Sequence, residues 1–301
     1  MKIGLIDVDG HNFPNLALMR IAAYHKAQGD SVEWWWGFDH YDIVYMSKVF
    51  SDAYSPDVEE PLNADKVIKG GTGYCITTDG GRETFDPAKN IALPAEVEQM
   101  KPDYSIYPQY DFAVAMTSRG CPRGCGFCHV GAKEGRASVK VADVTDFWTG
   151  QKRIEVLDPN ITACRDKRDL FAQYKATGAQ IVFNQGLDIR LINDDDIADL
   201  NEMKVGEIHF AWDDPHDDLV KQFKSFADGY RRAHKGMVYI LTNYNSTMEE
   251  NLYRIYTTFQ LGYDPYVMIY DKPHAPKEIR RLQRWCNNKW IFKSTPNFKN
   301  Y

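Results

Sequence analysis

A chain of 301 residues, 44% of them hydrophobic, is long enough for one large domain or two modest ones, each with its own core. Its formal net charge of −6 excludes a global basic field for nucleic acid or an anionic membrane surface, and no apolar run approaches a membrane span. Six cysteines, three close together and three scattered (Cys75, Cys164, Cys286), exclude the disulfide framework of a small secreted protein and suit a reducing cytoplasm; residues 1–7 also turn acidic too early for a secretory signal.

In chain order, residues 2–9 read as a buried strand ending in Asp-Gly. Leu16, Met19, Ala23 and Ala27 then recur at helical spacing over 15–28, and Gly29 closes the helix. Strands follow over 31–36, 42–49 and 65–69, the last running into Gly70-Gly71-Thr72-Gly73, where glycines let backbone approach a ligand or make a turn. Strand, helix, strand at the start predicts a small doubly wound α/β domain over 1–73, with weak helices between its later strands. Alternation along a strand cannot bury Trp34, Trp35 and Trp36 on one face, so at least one of them belongs at an interface or ligand edge. Residues 74–110 form a connector rich in Pro, Gly, Asp and Tyr, with a hairpin turn at Asp79-Gly80-Gly81 and a short helix over 96–100.

From residue 112 the pattern is regular. Strand runs at 112–117, 153–157, 180–184, 207–212, 237–241 and 266–270 alternate with helical runs at 144–148, 167–176, 194–203, 217–234, 247–261 and 276–286. Six βα units predict a partial, TIM-like (βα)6 barrel over 111–286, whose reacting groups belong at the C-terminal strand ends. Just past the first such end stands Thr117-Ser118-Arg119-Gly120-Cys121-Pro122-Arg123-Gly124-Cys125-Gly126-Phe127-Cys128. Three thiols at C-x-x-x-C-x-x-C in a loop loosened by glycine can hold three irons of a [4Fe–4S] cube and leave the fourth iron open for chemistry. A zinc knuckle or a disulfide pair are the alternatives, but structural zinc wants four ligands in two groups and no second Cys-x-x-Cys exists.

The other strand ends nominate further polar groups. The second ends in Asp158-Pro159-Asn160, which is also ordinary turn chemistry. The third ends in Gln185-Gly186-Leu187-Asp188-Ile189-Arg190, where Gln185 and Asp188 can bind hydroxyls of a substrate or ribose and Arg190 is either a bidentate anion ligand or the partner of Asp188. The fourth ends in Asp213-Asp214-Pro215-His216, with Asp217 and Asp218 read as first-turn helix residues, the fifth in Thr242-Asn243-Tyr244-Asn245, and the sixth in Asp271-Lys272-Pro273-His274. Residues 287–301 form a basic, aromatic tail, either a nucleic-acid strap or a segment packed over the barrel.

The cysteine loop, with Phe127 directly before its third cysteine, resembles the signature of the radical S-adenosylmethionine (SAM) superfamily. Its flank Thr117-x-Arg119-Gly120-Cys121-Pro122 is similar to the subgroup that includes cobalamin-dependent members and tRNA methylthiotransferases. The resemblance implies a [4Fe–4S] cluster on Cys121, Cys125 and Cys128, SAM chelated to the open iron, and hydrogen abstraction from an unactivated substrate carbon. It further implies a one-electron donor such as flavodoxin or ferredoxin. It matches Phe127 to the signature and puts Asp158 and Asn160 near the SAM amino group; Gln185, Asp188, Arg190 and Asn243 join the cofactor-binding candidates by their strand-end positions, with Arg190 suited to the SAM carboxylate. The first domain resembles a cobalamin-binding domain, in which His11 of Asp9-Gly10-His11 would meet cobalt and Gly70-Gly71 would lie near the cofactor; Pro14 stands where that motif has glycine. Cobalamin-dependent methyl transfer is the reaction this favours. Cobalamin-free modification of a nucleic acid or nucleotide, and a non-catalytic iron–sulfur redox or sensor protein, are the other readings.

Overall fold

The computed structural model describes residues 1–79 and 82–301. The chain divides into two compact units, residues 1–114 with 145–151, and residues 115–144 with 152–301.

The first unit is built on a four-stranded sheet of β1 (Lys2–Asp7), β2 (Ser31–Trp34), β3 (Tyr41–Ser47) and β4 (Ala64–Gly70), in the order β2-β1-β3-β4 with every pairing parallel. Helix α1 (Leu16–Ala27) crosses between β1 and β2 and buries Leu18, Met19, Ile21 and Ala22. Asn15 starts it: its side-chain oxygen accepts from the Leu18 N–H (3.2 Å), and its amide donates to Ser47 Oγ at the end of β3 (2.9 Å). Gly29, at φ 84°, lets the chain leave the helix.

The weak helices expected between the later strands do not form: no helix joins β2 to β3 or β3 to β4. The second face is covered instead by Trp35, packed with Ile6, Val8, Ala64 and Val67 on the cluster of Tyr41, Val44 and Met46. The three tryptophans accordingly part ways. Trp34 turns to the other face and donates to the Ile106 carbonyl (3.0 Å), Trp35 donates to Asn63 (3.0 Å), and Trp36 is 59% exposed.

Residues 74–110 are not a free-standing connector but part of this unit, whose boundary falls after Val114 rather than near 110. Strands β5 (Ile76–Asp79) and β6 (Arg82–Phe85) pair antiparallel, while Gly80 and Gly81, expected to turn them, lie outside the described residues. The short helix α2 (Ala95–Glu98) brings Glu98 to Arg20 of α1. Buried Tyr107 donates to Asp7 at the end of β1 (2.6 Å).

The second unit carries an open six-stranded sheet in the order β14-β13-β12-β11-β10-β7, formed by β7 (Ala113–Ala115), β10 (Arg153–Val156), β11 (Gln180–Phe183), β12 (Lys204–Ala211), β13 (Met237–Thr242) and β14 (Asp264–Ile269). Strands β10 to β14 pair in parallel, and β7 and β14 are the two edges, so the barrel is partial. A ribbon of β8 (Ser118–Arg119) and β9 (Val139–Lys140) brackets the loop that follows β7, which contains α3 (Val130–Lys133). Helices α4 (Lys167–Thr177), α5 (Asp194–Glu202), α6 (Val220–Gly229), α7 (Met248–Gln260) and α8 (Lys277–Asn287) follow their strands in turn. Strand positions Ile154, Ile181, Phe210, Val238 and Val267 and helix positions Phe171, Leu200, Phe223, Ile255 and Leu282 are all buried, and Phe210 meets Phe223 edge-on.

Two helices differ from expectation. Over 144–148 only a 3-10 turn forms at Val144–Asp146, and residues 145–151 belong to the first unit, where Phe147 lies under the Arg20 guanidinium. Helix α6 spans Val220–Gly229 rather than 217–234: Asp217 is drawn off to Arg190 before it, and Tyr230 turns to extended backbone after it. The C-terminal tail forms α9 (Lys289–Ser294) and divides its aromatics: Phe292 and Phe298 are buried against Trp285, Trp290 is exposed, and Lys289 pairs with Asp264 (2.6 Å). Among the described residues no helix is long and apolar enough to cross a membrane.

Asn15→Ala removes a helix cap and a buried bond between α1 and β3 together. It is expected to lower stability by about 1–2 kcal/mol in chemical denaturation.

Candidate metal centre

The cysteine loop springs from the C-terminal end of β7, and its root is held by one buried carboxylate. Asp158, at the end of β10 and 2% exposed, accepts from the Thr117 N–H (2.8 Å), the Thr117 hydroxyl (2.8 Å) and the Ser118 N–H (2.6 Å). Burial pushes its carboxyl up to about 6, against the downward pull of these donors. Three of its roughly four acceptor positions are thus taken by backbone and hydroxyl, which makes the residue a brace for the root of the loop.

Backbone close approaches shape the loop itself. Gly120 sits at φ 88°, and a Cβ there would fall 2.1 Å from the Ala137 carbonyl. Gly124, at φ 62°, packs on the Arg136 guanidinium, so any side chain would displace that group. The Cys121 N–H bonds to the Gly135 carbonyl (3.1 Å), and the Cys128 N–H to the Cys125 carbonyl (3.0 Å). At the far side Phe127 meets Tyr244 edge-on at 5.5 Å, and Tyr244 meets Tyr270 at 5.0 Å. Loop and strand ends β13 and β14 therefore share one aromatic contact.

All three thiols are free, Cys121 and Cys125 half-buried and Cys128 open to solvent on one side. Protein crowding pushes the Cys128 thiol up, and the nearby Cys125, Cys121 and Asp213 add to that. Among the described residues no three His, Cys, Asp or Glu side chains close on a point as one metal ion would need. Tetrahedral zinc requires that convergence; a cluster does not, because each thiolate takes a different iron. The donor set of three soft sulfurs on one glycine-rich loop fits the cluster and leaves zinc one ligand short.

Asn160 is drawn to the same place. Its amide lies 3.4 Å from Cys121 Sγ, while its carbonyl accepts from the Thr162 hydroxyl (2.8 Å) and the Ala163 N–H (3.2 Å). Asp188 and Arg190 do pair (3.0 Å), and a second acid and a second base join them. Arg190 Nε also donates to Asp217 (3.1 Å), and Arg123 of the cysteine loop lies 3.9 Å from Asp188 and 3.6 Å from Asp217. Gln185 is exposed, and Asn243 adopts φ 62° with its amide on the Tyr270 carbonyl (2.8 Å). His11, Gly70 and Gly71 belong to the first unit.

Arg254 is a group that the strand-end reading does not reach. Arg254, fully buried in the middle of α7, donates to the carbonyls of Trp212 (2.6 Å), Asp213 (2.9 Å) and Leu241 (3.0 Å), tying the ends of β12 and β13 together. Burial pulls its guanidinium down to about 10. The visible hint is an arginine on the helix face that also buries Asn251, Ile255 and Thr258. Asp213, already nominated by its strand end, has its carboxyl pushed up to about 6 by burial, with Arg190, Arg254 and Arg123 pulling the other way.

No protein-family profile and no curated protein matches the sequence. Solved structures do match. One is the radical S-adenosylmethionine methyltransferase TsrM from Kitasatospora setae with cobalamin and a [4Fe–4S] cluster bound, at TM-score 0.64 and 10% identity over 89% of this chain and 74% of that one. The same enzyme with tryptophan substrate and the SAM analogue aza-SAM matches at TM-score 0.64 and 11% identity, over 89% and 72%. At such identity the likeness shows the fold alone: an open, partial α/β barrel together with a small α/β domain.

Asp158→Ala leaves two buried N–H groups and a hydroxyl without their acceptor and is expected to cost about 3 kcal/mol, read by thermal or chemical denaturation. The raised carboxyl sets a pH signature. The unfolded chain releases this proton near the ordinary value of 3.8 and the folded chain near 6, so this group's contribution to stability is greatest below pH 4 and falls as pH rises to 6. Asp158→Asn removes that dependence, which denaturation midpoints measured across the window will report.

Proposed function

We propose that this protein is a radical SAM enzyme. One observation carries the reading: a three-cysteine loop at the C-terminal end of the first strand of an open parallel barrel, the edge where such barrels gather reacting groups. The likeness in fold to a radical SAM methyltransferase supports it. Cys121, Cys125 and Cys128 would ligate a [4Fe–4S] cluster. When bound with SAM, that cluster supplies an electron for cleavage of SAM to methionine and a 5′-deoxyadenosyl radical, which takes hydrogen from an unactivated substrate carbon.

The chain's own groups then have distinct tasks. Asp158 fixes the angle at which the loop leaves β7. Asn160 donates toward the Cys121 sulfur, and a hydrogen bond to a ligating sulfur raises a cluster's reduction potential. Arg123 and Arg190, set against Asp188 and Asp217, keep two cations beside the loop in a charge-compensated lattice able to receive a carboxylate. Asp213, with its carboxyl near 6, can hold or release a proton at its carboxylate oxygen close to Cys128. Phe127, Tyr244 and Tyr270 keep water from the loop's flank. A small one-electron donor protein, a flavodoxin or ferredoxin, would be the partner.

Two continuations separate on the first unit. Likeness to a cobalamin-bearing methyltransferase favours methyl transfer through cobalamin; a first unit that holds no corrinoid favours direct radical modification of the substrate.

After anaerobic reconstitution with iron and sulfide, addition of SAM and dithionite is expected to yield 5′-deoxyadenosine. Cys125→Ala should lose both the cluster absorbance and the product. A cluster-bearing protein that leaves SAM intact would leave the redox or sensor reading in its place. Asn160→Ala should keep the cluster and lower its midpoint potential, measured by redox titration with EPR detection.

A further inference from the structure

In a doubly wound sheet of order 2-1-3-4, ligands enter at the C-terminal ends of β1 and β3, where the connections diverge and free backbone N–H groups receive a nucleotide or phosphate. Here that crevice is filled from within. The Asp9 carboxylate, in the loop after β1, accepts from the Val49 N–H (2.5 Å) and the Phe50 N–H (3.3 Å) just beyond β3. The Lys48 N–H goes to the Gly70 carbonyl (3.0 Å), so the three donors that follow β3 are all taken by the protein.

The glycines belong to the same closure. Gly73 donates to the Lys48 carbonyl (2.9 Å). A Cβ on Gly71 would fall 2.2 Å from the Lys48 carbonyl, and one on Gly73 would fall 2.2 Å from the Phe50 carbonyl. Their lack of a side chain lets two loops of this unit touch, which leaves no need for a ligand to explain it. The buried Lys48 ammonium is turned to Asp52 rather than into an open cavity.

His11 lacks the setting of a metal ligand. A ligating histidine usually hands its other ring N–H to a carboxylate or carbonyl, which fixes the ring. The carboxylate two residues away, Asp9, faces the β3 loop instead, and among the described residues neither ring nitrogen of His11 has a hydrogen bond. The ring stands edge-on to Trp34 at 4.3 Å, and the Tyr110 hydroxyl secures only the backbone carbonyl of His11.

We infer that the first unit does not bind cobalamin: Asp9 occupies the seat of the ligand, and the unit serves as a closed structural domain. The inference rests on the radical SAM reading only in choosing the cofactor to exclude. The cluster-reconstituted full chain is incubated with hydroxocobalamin and passed through a desalting column. No corrin absorbance is expected to elute with the protein, and retention of one cobalamin per chain would overturn the inference. Hydrogen exchange of the Val49 and Phe50 amides supplies a second readout. In Asp9→Ala they should exchange about tenfold faster or more than in the wild type, with Asp9→Asn, which keeps one acceptor, between them. Equal exchange in all three proteins would overturn the self-occupied crevice. Formation of 5′-deoxyadenosine is followed in the same preparations: protein that retains cobalamin and cleaves SAM defeats this inference alone, whereas protein that does neither defeats the radical SAM reading alone.

Discussion

Where β7 ends, the chain must stop being sheet and become a loop carrying three sulfurs, and a single carboxylate manages the change. Asp158 reaches across from the end of β10 to the backbone of Thr117 and Ser118, so the direction of the loop is set by the neighbouring strand. The Ser118–Lys140 and Arg119–Val139 pairing closes the loop's neck immediately afterwards. Beyond that point the glycines matter because the chain folds back within contact of its own carbonyls and of Arg136. A loop so anchored holds its thiols at fixed places before any metal arrives, which lowers the ordering cost of binding.

The charges at the barrel mouth follow a related logic. Asp188, Asp217, Arg123 and Arg190 interlock, and Arg254 turns its buried cation onto the carbonyls of Trp212, Asp213, Leu241 and Glu250 and the side-chain oxygen of Asn251. Charges at a strand end survive burial when each has a partner, and those partners also fix their direction. Asp213 is the exception: protein surrounds it and the cations near it compensate its desolvation only in part, which is why its carboxyl stays up near 6. A group in that state at the centre of a mouth is suited to proton or ligand exchange.

The first unit is a doubly wound sheet reduced to one helix. Trp35 does on the second face what a helix would otherwise do, and its indole N–H finds Asn63 as it packs. The same economy closes the switch point, where Asp9 caps the loop after β3. The backbone donors after β3 are thereby satisfied from within the unit.

Much of this was legible in the residues. The apolar runs predict nearly every strand and the 3.6-residue spacing most helices, because burial of one face is a local periodic demand. The cysteine loop was legible because ligand type and spacing are chemistry that tertiary structure does not alter. What the sequence could not disclose were the partners. Asp158 reads either as a cofactor contact or as turn chemistry, and the fold sets it on the Thr117 and Ser118 N–H groups; Gly71 reads either as a place for a ligand or as a turn, and the fold sets it against the Lys48 carbonyl. Arg254, mid-helix and unmarked, ties two strand ends. Ligand spacing and burial period are properties of a chain segment, whereas the choice between bracing a neighbour and binding a ligand depends on which distant atom arrives within three ångströms, and only the folded chain decides that.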